Sequence, residues 1–200
     1  IVLVLILILP GLAFPALAQS AFPPKSIGIV VPYAAGGITD TLARIMAEKL
    51  SARLGVSVVA DNRGGAGGLI AAQAVAHAKP DGSTLLMHSS AILAVAASMP
   101  EPRFVPMKEL LAVAFVAGLP AVLVVHPSAG AATVKEFAAL ARAKPGSLNF
   151  ATAGAGTGGH MATEMFRFLA GVNIVHVPYK GSAQALTDVM SGRVQMMFAP

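Results

Sequence analysis

A run of apolar, mostly β-branched residues, Ser26-Ile27-Gly28-Ile29-Val30-Val31, meets Pro32 and then the pair Gly36-Gly37. The run suits a strand covered on both faces of a sheet. Pro32 stops it, because proline has no N–H for the ladder. The two glycines let the backbone turn through angles closed to other residues and approach a ligand closely. Thr39 and Asp40 are helix-capping types, with Gly37 an equal candidate for the cap. Behind them Leu42, Ile45, Met46, Leu50 and Leu54 mark one helix face. A strand delivered through glycine into a helix start leaves unpaired N–H donors and the positive dipole end facing outward, where an anion can sit. One such joint decides little, since many α/β proteins turn this way around no ligand.

The joint recurs along the chain. Strand-like runs at residues 56–60 and 84–88 flank an alanine-rich helix at 69–78, which the turn Pro80-Asp81-Gly82 ends. This β-α-β-α-β order demands a parallel sheet with right-handed crossovers. After a proline-rich loop at 100–106, apolar runs at 110–116 and 121–126 read as strands around Gly118-Leu119-Pro120, where the chain is expected to cross between domains. Thr133 with Glu136 reads as a capping box for a helix ending by Lys144-Pro145-Gly146. Strands are expected at 148–151, 173–177 and 194–198, and helices at 161–170 and 183–190. Four strand–loop–helix joints stand out, at 33–40, 62–68, 154–160 and 179–182. Ligands of open α/β sheets sit at such carboxyl ends of strands. Two joints precede the crossover and two follow it, the layout of two α/β lobes facing across a cleft.

Several functions are disfavoured. The Gly36-Gly37 turn lacks the third glycine of G-x-G-x-x-G, and no glycine loop carries the G-K-[ST] of a P-loop. No G-x-S-x-G elbow is present, and no Ser-His-acid set assembles. The chain has no cysteine, which removes disulfides, thiol catalysis and thiolate metal sites. His77, His88, His126, His160 and His176 show no zinc spacing, so neither metal nor cofactor is expected. The net charge of +5 is scattered, without the basic and aromatic clusters of a nucleic-acid surface.

Residues 1–9 are continuously apolar, Pro10-Gly11 breaks them, and Ala16-Leu17-Ala18 supplies the small residues a signal peptidase reads. Residues 1–18 are therefore expected to be a cleaved secretory signal peptide rather than an anchor, with the mature chain starting near Gln19 in the periplasm. The start at Ile1 and the stop at Pro200 suggest a piece of a longer protein.

The segments 31–40 (Val-Pro-Tyr-Ala-Ala-Gly-Gly-Ile-Thr-Asp), 61–68 (Asp-Asn-Arg-Gly-Gly-Ala-Gly-Gly), 80–86 (Pro-Asp-Gly-Ser-Thr-Leu-Leu) and 176–182 (His-Val-Pro-Tyr-Lys-Gly-Ser) resemble, in the same order, those of the tripartite tricarboxylate transporter substrate-binding proteins, the Bug family of periplasmic receptors. The resemblance runs from about residue 22 to Pro200. It implies a two-lobed periplasmic binding protein of the Venus-flytrap type, with lobes at 19–118 and 119–200 and the C-terminal part of the second absent. It implies a monomeric receptor, not an enzyme, that closes on a small carboxylate and delivers it to membrane permease subunits. Carried over residue by residue, Tyr33, Gly36, Gly37, Thr39 and Asp40 form the first-lobe wall, with Ser89 and Ser90 nearby. Thr157, Gly158 and His160 form the second-lobe loop, edged by Tyr179, Lys180 and Gly181. The chain departs from the family pattern at Gly64-Gly65 and at Ala199, where many members carry a polar residue. The alternatives are a secreted α/β enzyme, hydrolytic or nucleotide-using, and a membrane-anchored sensor.

Each residue also has a purely structural reading. Tyr33 can cover the sheet end, Asp40 and Thr157 can cap helices, His160 can be a satisfied histidine and Lys180 can be solvated. Arg63 is expected to tie its own loop, the other histidines to be structural, and Met190, Met196 and Met197 to fill core.

Overall fold

The computed structural model describes residues 22–98 and 104–200. The expected signal peptide at 1–18 lies outside the described residues.

The first sheet joins strands β1 (Ser26–Val31), β2 (Ser57–Asn62) and β3 (Thr84–Leu86) in the order β2-β1-β3, all parallel. Central β1 pairs residue for residue with β2, from Ser26 opposite Ser57 to Val31 opposite Asn62. Its covered position explains why it carries an unbroken apolar run. Helix α1 (Ile38–Leu54) packs on one face of the sheet, where Ile27, Ile29 and Val31 meet Ala43, Ala47 and Val58. Helices α2 (Leu69–Ala76) and α3 (Ala91–Ala97) build a second core with Phe104, through Leu69, Ala72 and Ile92. Helix α4 (Pro106–Glu109) follows.

The face of α1 differs from the expected stripe. Ala43 and Ala47 are buried against the sheet and Ile45 points outward, 44% exposed, while Met46, Leu50 and Leu54 flank the contact. Alanine lets the helix axis approach closely, and larger residues fill the margins. Helix α3 is not among the elements expected from the sequence. Its N-cap, Ser90, makes no side-chain capping bond.

The second sheet has the order β4-β7-β5-β6, from β4 (Val122–Val125), β5 (Asn149–Thr152), β6 (Val175–Pro178) and β7 (Met196–Ala199). β4 runs antiparallel to β7, and the other pairs are parallel. Helices α5 (Val134–Ala143) and α6 (Gly158–Ala170) cover one face, centred on Phe137, Phe150, Ile174 and Met196. Helix α7 (Ser182–Met190) covers the other through Ala185 and Val189 against Ala151 and Met197. Met196 and Met197 are core as expected, but Met190 is 71% exposed. The capping box of α5 forms with a shift: Thr133 Oγ1 accepts the Glu136 N–H at 3.2 Å, while Glu136 Oε2 accepts from Ala132 N–H at 2.8 Å.

Residues 110–116, expected as a strand, are not one. The segment 110–121 is irregular, and Leu111, Val113 and Phe115 are each more than three-quarters exposed. Apolar alternation supplies a face for a strand but not a partner for its N–H and C=O groups.

Candidate functional site

A cavity of about 310 Å³ opens where the two sheets point their strand ends at each other. It is lined by Pro32 and Tyr33 after β1, residues 65–68 before α2, residues 153–155 after β5 and residues 178–180 at the end of β6. A second hollow of about 250 Å³ adjoins it between Tyr33, Ala34, Asn62, Gly64, Gly65 and Lys180. These are the four joints read from the sequence. Of the expected site residues, Tyr33, Tyr179 and Lys180 line the cavity, and the others are not among its lining residues. Pro32, the 65–68 turn, 153–155 and Pro178 line it without having been singled out as contacts.

Each wall is built by a specific network. Asp40, 3% exposed, is fully engaged. Its Oδ2 accepts from the Gly36 N–H at 2.9 Å and from Arg44 Nε at 3.0 Å, and its Oδ1 accepts from Asn62 Nδ2 at 2.9 Å. Asn62 also donates to the Tyr33 carbonyl at 3.0 Å, so β2 and α1 together fix the 33–36 turn. The Arg44 bond, with those from Gly36 and Asn62, outweighs burial and holds the Asp40 carboxyl down at about 2. Arg63 ties its own loop through Asp61 at 2.7 Å.

Tyr33 stands edge-on to His88, with ring centroids 5.7 Å apart. Burial raises the Tyr33 phenol above its ordinary range, and the neighbouring Ser89 side chain acts the other way, so the hydroxyl stays a donor. Burial also keeps His88 neutral, its Nδ1 lying 2.9 Å from the Ser89 carbonyl. Gly68, at φ +96°, lies against this ring, and a Cβ there would collide with His88 Nε2. Ser89 and Ser90 are exposed at the end of β3, outside the cavity lining.

In the second wall Thr157 is buried at the start of α6, but its hydroxyl donates to the Gly154 carbonyl at 2.8 Å. That hydrogen closes the 154–157 turn rather than capping the helix. His160 Nδ1 accepts the Gly156 N–H at 3.1 Å. Tyr179 donates its phenol to Asp188 Oδ2 at 2.7 Å, and burial with that bond pushes it up to about 12. Tyr179 therefore offers the cavity its ring rather than its hydroxyl. Lys180 is exposed and is the one charged side chain among the lining residues described.

The two halves touch on either side of the cavity. The Ala34 N–H donates to the Lys180 carbonyl at 3.0 Å, with Gly181 packed on Ala34. Across from them Val95 of α3 sits against both Gly67 and Gly156. Helix α2 begins at the cavity, its N-cap Gly68 being one of the lining residues, while α1, α6 and α7 begin a few residues further along the chain from the lining, at Gly37, Thr157 and Gly181; the first-turn N–H groups of each lack intrahelical partners. Among the described residues no cluster of three or more His, Asp or Glu could hold a metal ion, and no helix is long and apolar enough to cross a membrane.

This arrangement has close parallels. The adipate-bound protein Rpa4515 of R. palustris superposes with a TM-score of 0.83 at 36% identity, over 90% of this chain and 60% of that one. MatC (Rpa3494) from Rhodopseudomonas palustris with bound malate gives 0.82 at 33%, over 89% and 61%. The periplasmic binding protein BugD gives 0.81 at 34%, over 89% and 60%. In sequence, BugT of Bordetella pertussis is 39% identical over 186 residues, 92% of this chain and 57% of that protein. A protein from the tcbD-tcbE intergenic region of Pseudomonas sp. strain P51 is 40% identical over 177 residues, 88% and 53%. The chain thus spans a little over half the length of the curated relatives it matches. Residues 42–200 match the model of the tripartite tricarboxylate transporter family receptor. With the fold, the sequence and the family model in agreement, this chain belongs to that receptor family.

Proposed function

We propose that the protein is a non-catalytic, extracytoplasmic receptor that captures a small carboxylate between two lobes, 19–118 and 119–200, and delivers it to permease subunits of a tripartite tricarboxylate transporter. On this reading it is a monomer, exported to the periplasm on a leader removed after Ala18. The observation that carries the proposal is the cavity itself. Its walls are largely glycine and alanine, among them Gly68 at the start of α2, with a protonated Tyr33 and one cation, Lys180. Backbone N–H groups at helix starts hold a carboxylate without a buried arginine. The adipate and malate carried by two solved relatives are of this class. Tyr33, Lys180 and the N–H groups following Gly37, Thr157 and Gly181 are the proposed contacts. Gly36, Thr39 and Asp40 shape the first wall, Gly158 and His160 the second, and Ser89 and Ser90 lie at the rim.

The test is thermal unfolding of the intact protein against adipate, malate, other mono-, di- and tricarboxylates, and amino acids. A ligand at 100 times its Kd adds about 2.7 kcal/mol of stability. A shift confined to one acid class supports the receptor and fixes its ligand. A folded protein that shifts with none of them overturns the carboxylate assignment. Turnover of an ester or nucleotide panel would then favour the enzyme alternative, and an uncleaved leader in the mature protein the anchored sensor.

A further inference from the structure

Behind the second wall three rings form a stack: Phe150 of β5, His176 of β6 and His160 of α6. The centroids of Phe150 and His176 are 4.7 Å apart, and those of His176 and His160 4.3 Å, with interplanar angles of 12° and 25°. Each histidine holds one N–H of the 154–157 turn. His160 Nδ1 accepts the Gly156 N–H directly. His176 Nε2 lies 2.7 Å from Thr152 Oγ1, which accepts the Gly154 N–H at 3.1 Å. Ala153, Gly154 and Ala155 are the cavity lining on this side.

We propose that His160 and His176 are positioning residues that keep the 153–157 wall in its binding shape only while His160 is neutral, so that acid loosens the grip on ligand. An imidazolium has a hydrogen on both nitrogens. Protonated His160 would turn a donor toward the Gly156 N–H, and the bond would be lost. The other charged groups that bear on the pair are known. Glu164, one turn along α6, has Oε1 3.7 Å from His160 Nε2 and favours the cation. Arg167 occupies both carboxylate oxygens of Glu164, at 2.7 and 3.0 Å, and offsets much of that attraction. His176 opposes a second charge 4.3 Å away, and strands β5 and β7, packed against α6, bring none. Burial first, then the charge on His160, lowers the pKa of His176.

The turn can be watched without ligand, in the intact protein. Amide resonances of Gly154 and Gly156 and the histidine ring signals are followed from about pH 7.5 to about pH 5, the range in which imidazole changes charge. The Gly156 amide should move with the midpoint of the His160 ring. In His160→Asn, whose Oδ1 takes the place of Nδ1 and does not titrate, it should stay still. A Gly156 amide that stays fixed while His160 titrates, a His160 ring that never titrates in this window, or an amide that moves equally in His160→Asn would each overturn the proposal. The ligand arm rests on the carboxylate reading and uses adipate. Its affinity should weaken roughly tenfold across the window, about 1.4 kcal/mol of binding free energy. In His160→Asn the profile should be flat, whatever the absolute affinity. If adipate binds at neither end, the acid found in the thermal screen takes its place; if no acid binds, the receptor reading is what fails, and the amide titration still decides the role of the histidines.

Discussion

Replacing Asp40 by asparagine keeps the side-chain shape and removes its charge, at the point where the first wall of the cavity is fastened. The carboxylate now satisfies the Gly36 N–H and the Asn62 amide while pairing with Arg44. Hydrogen bonds to a charged acceptor contribute roughly 1.5–3 kcal/mol each, and neutral ones about 1. Asparagine keeps one acceptor and sets an NH₂ against a second donor. One bond is weakened and one lost, about 3 kcal/mol in all. Arg44 is half exposed and adds little beyond this. A second route gives a similar figure. The carboxyl lies at about 2 in the fold against 3.8 unperturbed, a difference of about 1.8 units. At 1.36 kcal/mol per unit this is about 2.4 kcal/mol, nearer 2 once water around Arg44 is allowed for. The folded value is the lower one, so this stability is present above about pH 4 and is lost as the pH falls through about 2. Urea unfolding of wild type and Asp40→Asn should therefore differ by about 2–3 kcal/mol at neutral pH, with the gap closing toward pH 2. A difference below about 0.5 kcal/mol, typical of an ordinary surface change, or a gap independent of pH, would refute the reasoning.

Gly181 has extended backbone, φ 178°, open to any residue, but a Cβ there would lie 3.1 Å from the Ala34 Cβ. Gly181→Ala should cost less than about 1 kcal/mol in stability, yet, on the proposed receptor reading, weaken several-fold the binding of the acid found in the thermal screen by holding the two halves apart; calorimetric titration reads the change. Gly68→Ala combines a φ of +96° with collision against His88 and Pro32, and should lower stability by about 2–3 kcal/mol in a thermal melt. Thr133→Ala removes the acceptor for the Glu136 N–H and should cost about 1 kcal/mol in urea unfolding.

The local elements of this fold were legible wherever one short stretch decided them. The run 26–31, its proline stop and the capping box at Thr133 each carry their own physics, and the structure has all three. What long-range packing decides was not legible. The contact face of α1 is set by how closely the helix can approach β1, so Ala43 and Ala47 win over the larger residues that dominate the pattern. The run 110–116 has strand composition, but pairing needs a neighbour at the right height. The site divides the same way. Glycine spacing marked all four joints, whereas the engagement of Asp40 by Asn62 and of Tyr179 by Asp188 joins residues 22 and 9 positions apart. No local pattern announces that these side chains are already occupied.

The exposed stretch 111–116 has a consequence for handling the 200-residue chain. Its residues, Leu-Ala-Val-Ala-Phe-Val, are uncharged, lack proline and alternate in size. A window of this kind stacks readily on copies of itself, forming a dry cross-β interface in which the backbone groups find partners on neighbouring molecules. Fibril growth from this window depends on concentration, so dilution protects the chain more than cooling. A lysine in place of Val113, which is not among the residues lining the cavity, would act as a gatekeeper and suppress dye-binding fibrils.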